Sequence, residues 1–263
     1  MTASKKKRSP VSKKKSATVR KKTSAASEAA RKRKTKRSSP NRRRTVPGDL
    51  KDVHPVKMPI FDRASVTAGN VTVHTRDIRA RLIDFITSSQ SVLGCVAWVR
   101  DPDILAALAA KDNAAIIVQK ETMLRNDANL RRRLKALSNN WRLSSMPEPL
   151  RLLGPDGSIA GCRCVGQHIG KANPGAPRMH HKFLVDVEFN PRGRTDLTRW
   201  SPRRVWTGSF NFSRNADASL ENAVEIADSG AAAAYFEEWM KVMAVSEPLD
   251  WTARMPKPQW KKM

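Results

Sequence analysis

The chain is predicted to be an α/β protein, a mixed β-sheet flanked by helices, with a disordered basic N-terminal tail. Three observations predict this. From residue 71 onward, short β-branched apolar runs alternate with stretches of helical period, the order that builds a mixed or parallel sheet covered by helices. Residues 1–46 hold nineteen Lys and Arg against one acid, Glu28, and no aromatic residue, so they bury too little apolar surface to offset their ordering entropy. The remaining 217 of the 263 residues suffice for one sizeable α/β domain. The expected organisation is a polybasic tail over 1–46, a linker over 47–70 and a folded domain over 71–263.

Charge is divided unevenly between these parts. The tail carries +18 of the chain's +26, which leaves +8 on the rest. A basic domain behind a far more basic arm points to a polyanionic partner, nucleic acid first and an anionic membrane surface second. The arm's cations fall in clusters between Ser, Thr and Ala spacers: Lys5, Lys6, Lys7 and Arg8; Lys13, Lys14 and Lys15; Arg20 to Lys22; Arg31, Lys32, Arg33 and Lys34; Arg42, Arg43 and Arg44. That composition resembles linker-histone tails, and it predicts phosphate binding by counterion release that weakens steeply with salt. The sequence shows no apolar run of membrane-span length and no secretory leader. Three cysteines, Cys95, Cys162 and Cys164, are an odd number and fit a reducing, intracellular setting: cytoplasm or nucleoid, or the nucleus in a eukaryotic host.

Taken in order, Pro47, Pro55, Pro59 and Gly69 mark the linker, and a first strand follows near Val71 to His74. Asp77 to Ser88 places Ile78, Leu82, Phe85 and Ile86 on one helical stripe. Val92 to Val99 reads as a buried strand ending in Trp98. Asp101-Pro102 starts a helix that includes Ile104 to Ala110, and Ala114 to Gln119 is again a strand. Glu121 to Leu137 reads as one helix carrying Arg125, Arg131, Arg132, Arg133 and Lys135, either a wet face or a phosphate-contacting one. A turn signal at Pro155-Asp156-Gly157 suggests a hairpin. Cys162-x-Cys164 with His168 offers zinc-ligand types, but the spacing is not C-x-x-C and no second pair follows. Packed, reduced thiols are therefore expected, with no metal and no cofactor. Loops are predicted over 171–178 and 190–204, a strand over Glu221 to Ile226, and a final helix over Ala231 to Val245 with Tyr235, Trp239 and Met243 on its core stripe.

Two β-rich runs carry the chemistry: Met179-His180-His181-Lys182-Phe183-Leu184-Val185-Asp186 and Trp206-Thr207-Gly208-Ser209-Phe210-Asn211-Phe212. Alternation along a strand puts His180 and Lys182 on one face, with His181 and Phe183 on the other. An imidazole can act as nucleophile or as acid and base, and an ammonium neutralises a phosphoryl oxygen. On the second strand Ser209 and Asn211 also share a face and can donate hydrogen bonds to the same phosphate, and Gly208 permits close approach.

His180-x-Lys182 with Gly208-Ser209-x-Asn211, followed by Ser219-Leu220-Glu221-Asn222, resembles the signature of the phospholipase D superfamily, in its single-motif nuclease type. The resemblance is specific over 179–226 and architectural over 71–178. It implies a phospholipase D-like catalytic domain over 71–263, in which His180 is the nucleophile that forms a phosphohistidine. Lys182 and Asn211 would hold phosphate oxygens, Ser209 would support them, and Glu221 would orient a histidine. The family places four residues between its lysine and its aspartate, whereas only three, Phe183, Leu184 and Val185, separate Lys182 from Asp186. A one-residue shift moves a carboxylate to the other face, which leaves the role of Asp186 open. No second such motif occurs in the sequence, so the resemblance implies a homodimer sharing one active site. The resulting expectation is a metal-independent endonuclease acting on DNA ahead of RNA. The alternatives are a non-enzymatic DNA-binding architectural protein and a phospholipid-processing phosphodiesterase.

Overall fold

The computed structural model describes residues 65–148, 150–152, 158–169, 175–195 and 199–250. The basic arm and its clusters, and the turn at 155–157, lie outside them. The described residues form a mixed sheet of nine strands: β1 (Ser65–Ala68), β2 (Val71–His74), β3 (Val92–Val96), β4 (Ala114–Glu121), β5 (Cys162–Ile169), β6 (Lys182–Phe189), β7 (Trp200–Gly208), β8 (Ala223–Ile226) and β9 (Glu247–Pro248). Their order across the sheet is β1-β2-β8-β7-β6-β3-β4-β5-β9. β3, β4 and β5 run parallel, and β6 and β7 pair antiparallel beside them. The fold class read from the sequence, a mixed sheet flanked by helices, is therefore the one observed.

Helices cover both faces. On one side α1 (Ile78–Ser88), α2 (Pro102–Ala109), α3 (Thr122–Asn126) and α4 (Ala128–Lys135) close a core that includes Leu82, Phe85, Ile104, Leu134, Leu184 and Trp206. On the other, α6 (Ser229–Ala244) packs Phe236, Trp239 and Met243 against Leu93, Ile117, Phe183 and Val205. The short α5 (Arg214–Asp217) follows the second motif run and is capped by the Ser213 hydroxyl, which accepts from the Ala216 N–H. Trp239 is fully buried, and its indole N–H donates to the Ala115 carbonyl at 3.2 Å, so the buried donor keeps a partner.

The structure redraws several predicted boundaries. Ser65–Ala68, inside the stretch read as linker, pairs with β2 in register Ser65↔His74 to Ala68↔Val71. The single helix expected over 121–137 breaks at Asp127, whose side chain accepts from the Leu130 N–H and caps α4, in keeping with aspartate's preference for caps over helix interiors. The loop expected to reach Arg204 ends earlier, because β7 begins at Trp200 and runs through Pro202. Proline is tolerated there because β8 pairs with β7 only from Val205 to Gly208, so no ladder partner on that side needs its missing N–H. The register also jumps from Asp186↔Arg204 to Val187↔Pro202, which bulges out Arg203.

Candidate active site

The two motif runs meet at one end of β6 and β7, but neither is strand throughout. β6 starts at Lys182, with His180 and His181 just before it, and β7 stops at Gly208, so Ser209 to Asn211 lie beyond the strand. The predicted common strand face for Ser209 and Asn211 is therefore absent, because neither residue lies in β7. The backbone leading into β6 is nonetheless fixed, since Ala97 donates its N–H to the His181 carbonyl at 2.8 Å. Gly208 is required where it stands: a Cβ there would lie 2.4 Å from the Asn222 carbonyl oxygen and 2.7 Å from the Ala223 Cα.

The alternation expected around Lys182 holds for the side chains. Lys182 Nζ lies 3.2 Å from Nδ1 and 3.3 Å from Nε2 of His180 and donates to the His180 carbonyl at 2.9 Å. His181 turns to the opposite side, with Nε2 3.3 Å from Glu238 on α6 and its ring edge-on to Phe183. Burial, followed by the charges of Lys182, Arg178 and His181, holds the His180 pKa below its ordinary 6.5. The ring is therefore neutral, with a free lone pair, to lower pH than an isolated imidazole. Lys182 is only 8% exposed. Burial also lowers its pKa, opposed by the charge of Glu221.

Across the gap, the Ser209 hydroxyl donates to the Glu221 carboxylate and accepts from the Asn222 N–H at 3.1 Å. Glu221 thus engages the Ser209 hydroxyl. Asn211 holds a buried side-chain oxygen with no partner among the described residues. A buried amide oxygen left open is an acceptor for an incoming hydrogen-bond donor.

Asp186 belongs elsewhere. It is four residues along β6 from Lys182, about 13 Å at the rise of a strand, and fully buried. Its carboxylate accepts from the Gln90 N–H at 3.0 Å and from Arg204 Nε at 3.1 Å. The placement of Asp186 in the catalytic set is therefore a correction: it anchors Arg204 inside the fold.

Sequence reasoning missed three residues that shape this corner. Trp98 stands edge-on to the His180 ring with centroids 5.1 Å apart and lies beneath Lys182 Nζ at 5.8 Å. Its indole N–H is tied to Glu121 at 2.5 Å. Gln119, fully buried, accepts from the Met179 N–H at 2.7 Å and donates to the Gln167 carbonyl at 2.8 Å, fixing the residue before His180. It packs where Gly166 adopts a positive φ of 90°, a place a side chain would fill. The available signal was a lone polar residue in the apolar run Ala114 to Gln119. Cys162 and Cys164 are buried, free thiols. Burial pushes the pKa of Cys162 far up and that of Cys164 to about 12, so neither is a ready thiolate ligand. The described residues include no group of three His, Cys, Asp or Glu placed to hold a metal ion, and no helix long and apolar enough to cross a membrane.

No family model matches the chain. It is 26% identical over 207 residues to the uncharacterized protein L381 of Acanthamoeba polyphaga mimivirus, covering 72% of this chain and 70% of that one. Among solved structures it is similar to Nuc from Salmonella typhimurium, a phospholipase D family member, at 17% identity over 67% of this chain and 95% of Nuc, with a TM-score of 0.41. It is also similar to NucT from Helicobacter pylori, at 14% identity over 68% of this chain and 98% of NucT, with a TM-score of 0.43.

Proposed function

We propose that the chain is a phosphodiesterase of the phospholipase D type that cleaves nucleic acid through a phosphohistidine, as an intracellular enzyme. One observation carries this reading: an imidazole of lowered pKa and a buried ammonium in mutual contact at His180 and Lys182, at the start of the strand that pairs with the one running into Ser209 and Asn211. In the proposed reaction, a His180 ring nitrogen attacks phosphorus and the bond from phosphorus to the leaving oxygen breaks. Lys182 and Asn211 hold the non-bridging oxygens as charge builds on them. Water then attacks the phosphohistidine and releases the imidazole. No metal or other cofactor is assigned a role.

The leaving oxygen needs a proton, and among the described residues this corner offers a single histidine, His180, which is already the nucleophile. His181 faces α6, while His74 bonds Ser65 at 2.7 Å and stacks on Trp206, three strand spacings from β6, or about 14 Å. A second copy of the chain would supply the acid through its own His180, so the working enzyme is a homodimer that shares one site. DNA is preferred over RNA as the substrate, and the basic arm binds its phosphates. Cleavage of plasmid and of single-stranded DNA and RNA in EDTA, with His180→Ala as the control, tests the proposal.

A further inference from the structure

The basic helix α4 is a second charged surface, separate from the corner that holds His180. Leu130 and Leu134 face the core, and Ala128, Arg131, Arg132 and Lys135 fall on the outer stripe at helical spacing. With Ala136 they line an open cavity of about 450 Å³. Asp250, arriving from β9, accepts from Arg131 at 3.2 Å and from Lys135 at 2.5 Å, so one carboxylate bridges two cations. The Arg132 side chain has no such acid among the described residues. The stripe connects to the candidate site through the chain itself: Arg100, two residues after Trp98, donates its N–H to the Phe212 carbonyl at 2.7 Å and pairs with Asp127, the cap of α4, at 3.5 Å.

We propose that this stripe is a docking surface for the sugar-phosphate backbone of nucleic acid, and that Asp250 occupies the place of a phosphate until nucleic acid displaces it. The proposal rests on the nucleic-acid reading of the site and adds the path by which the strand leaves it. Residues 131 and 135 are about 6 Å apart along the helix, close to two nucleotide steps of 3.4 Å. A carboxylate that already bridges the two cations demonstrates that one anion satisfies both. Backbone contacts of this kind position a strand without reading its sequence.

The test measures binding of a fluorescein-labelled DNA duplex of about 20 base pairs to the full chain by anisotropy across a salt series, in a His180→Ala background that keeps the probe intact. Arg132→Ala is expected to lower the slope of log affinity against log salt by about 1, and the triple change at Arg131, Arg132 and Lys135 to alanine by about 2 to 3. Asp250→Asn is expected to tighten binding at least about threefold by freeing two cations. Glu188→Gln controls for charge alone, because Glu188 is as exposed as Asp250, at 54%, and also pairs with an arginine, Arg203 at 3.8 Å. Equal tightening by Glu188→Gln and Asp250→Asn, no tightening by Asp250→Asn, or an unchanged slope in Arg132→Ala would each overturn the surface. Cleavage of the small diester bis(4-nitrophenyl) phosphate by the parent chain is read in parallel. Its absence would count against the catalytic reading alone, since the binding series does not depend on cleavage.

Discussion

Asp186, fully buried, and Arg204, partly buried, form an ion pair, Nε to Oδ2 at 3.1 Å, on adjacent strands of the sheet. Arg204 extends the link to Glu225 at 2.6 Å and to the Ser88 hydroxyl at 2.7 Å, and lies over the Phe85 ring at 4.5 Å. The aspartate of the motif thus ties β6, β7, β8 and the end of α1 together, far from His180. Asp186→Ala removes the buried acceptor of both Arg204 and the Gln90 N–H, while Arg204 keeps Glu225. Loss of a buried partner costs about 3 kcal/mol at the lower end, or roughly 6 to 12 °C in Tm for a domain of this size. Thermal unfolding should show that drop. Asp186→Asn should keep most of the rate per folded molecule, and a loss of rate comparable to that of His180→Ala would return Asp186 to the chemistry.

Under the proposed mechanism the His180 ring sets the acid side of the pH profile. Its folded pKa is depressed below 6.5, so the deprotonated nucleophile persists until the pH falls below that value, and the acidic limb of kcat/KM should lie under 6.5. The same depression makes His180 a small source of stability above pH 6.5, lost as the pH falls through 6.5 towards the folded value, because the unfolded ring takes up its proton first. Lys182→Met removes the second cause of the shift, so an NMR titration of the His180 ring should move upward towards 6.5. An unmoved titration would show that Lys182 and His180 do not feel each other in solution.

Trp98 should act through His180. Trp98→Phe keeps an aromatic face and loses the N–H that Glu121 holds, whereas Trp98→Ala opens the ring to water. The alanine variant is expected to raise the His180 pKa and to lower kcat more than KM changes, with the phenylalanine variant intermediate. Equal losses in both, with the His180 titration unchanged, would reduce Trp98 to a packing residue.

The core under α6 sets the stability of the sheet. Trp239 is fully enclosed and spends its donor on Ala115. Trp239→Ala should cost about 3 to 5 kcal/mol, read as a lower urea midpoint. A loss under about 1 kcal/mol would mean that the helix can settle into the cavity.

Much of this was legible beforehand where one physical signal dominated. Ile78, Leu82, Phe85 and Ile86 specified α1 by period alone, and the apolar runs at Val92 and Ala114 specified β3 and β4. The face shared by His180 and Lys182 followed from alternation even though His180 lies outside β6. Signals that depend on distant partners were not readable. Pro202 looked like loop because the sequence does not reveal that β8 stops short of it. Asp127 looked like helix because its capping bond competes locally with a continuous run. The place of Asp186 turned on Arg204 and Gln90, and the roles of Trp98 and Gln119 turned on strands that only the folded sheet brings beside His180.

The central claim is that His180 is the nucleophile of a reaction needing no metal ion. The most direct measurement is the rate of nucleic-acid cleavage by the purified full chain in excess EDTA, compared with its His180→Ala variant at equal folded concentration. The account predicts cleavage by the parent chain in EDTA, a loss of at least about 10³-fold in the variant, and retained nucleic-acid binding. Undiminished cleavage by His180→Ala, or cleavage that appears only when a divalent cation is added, would contradict it.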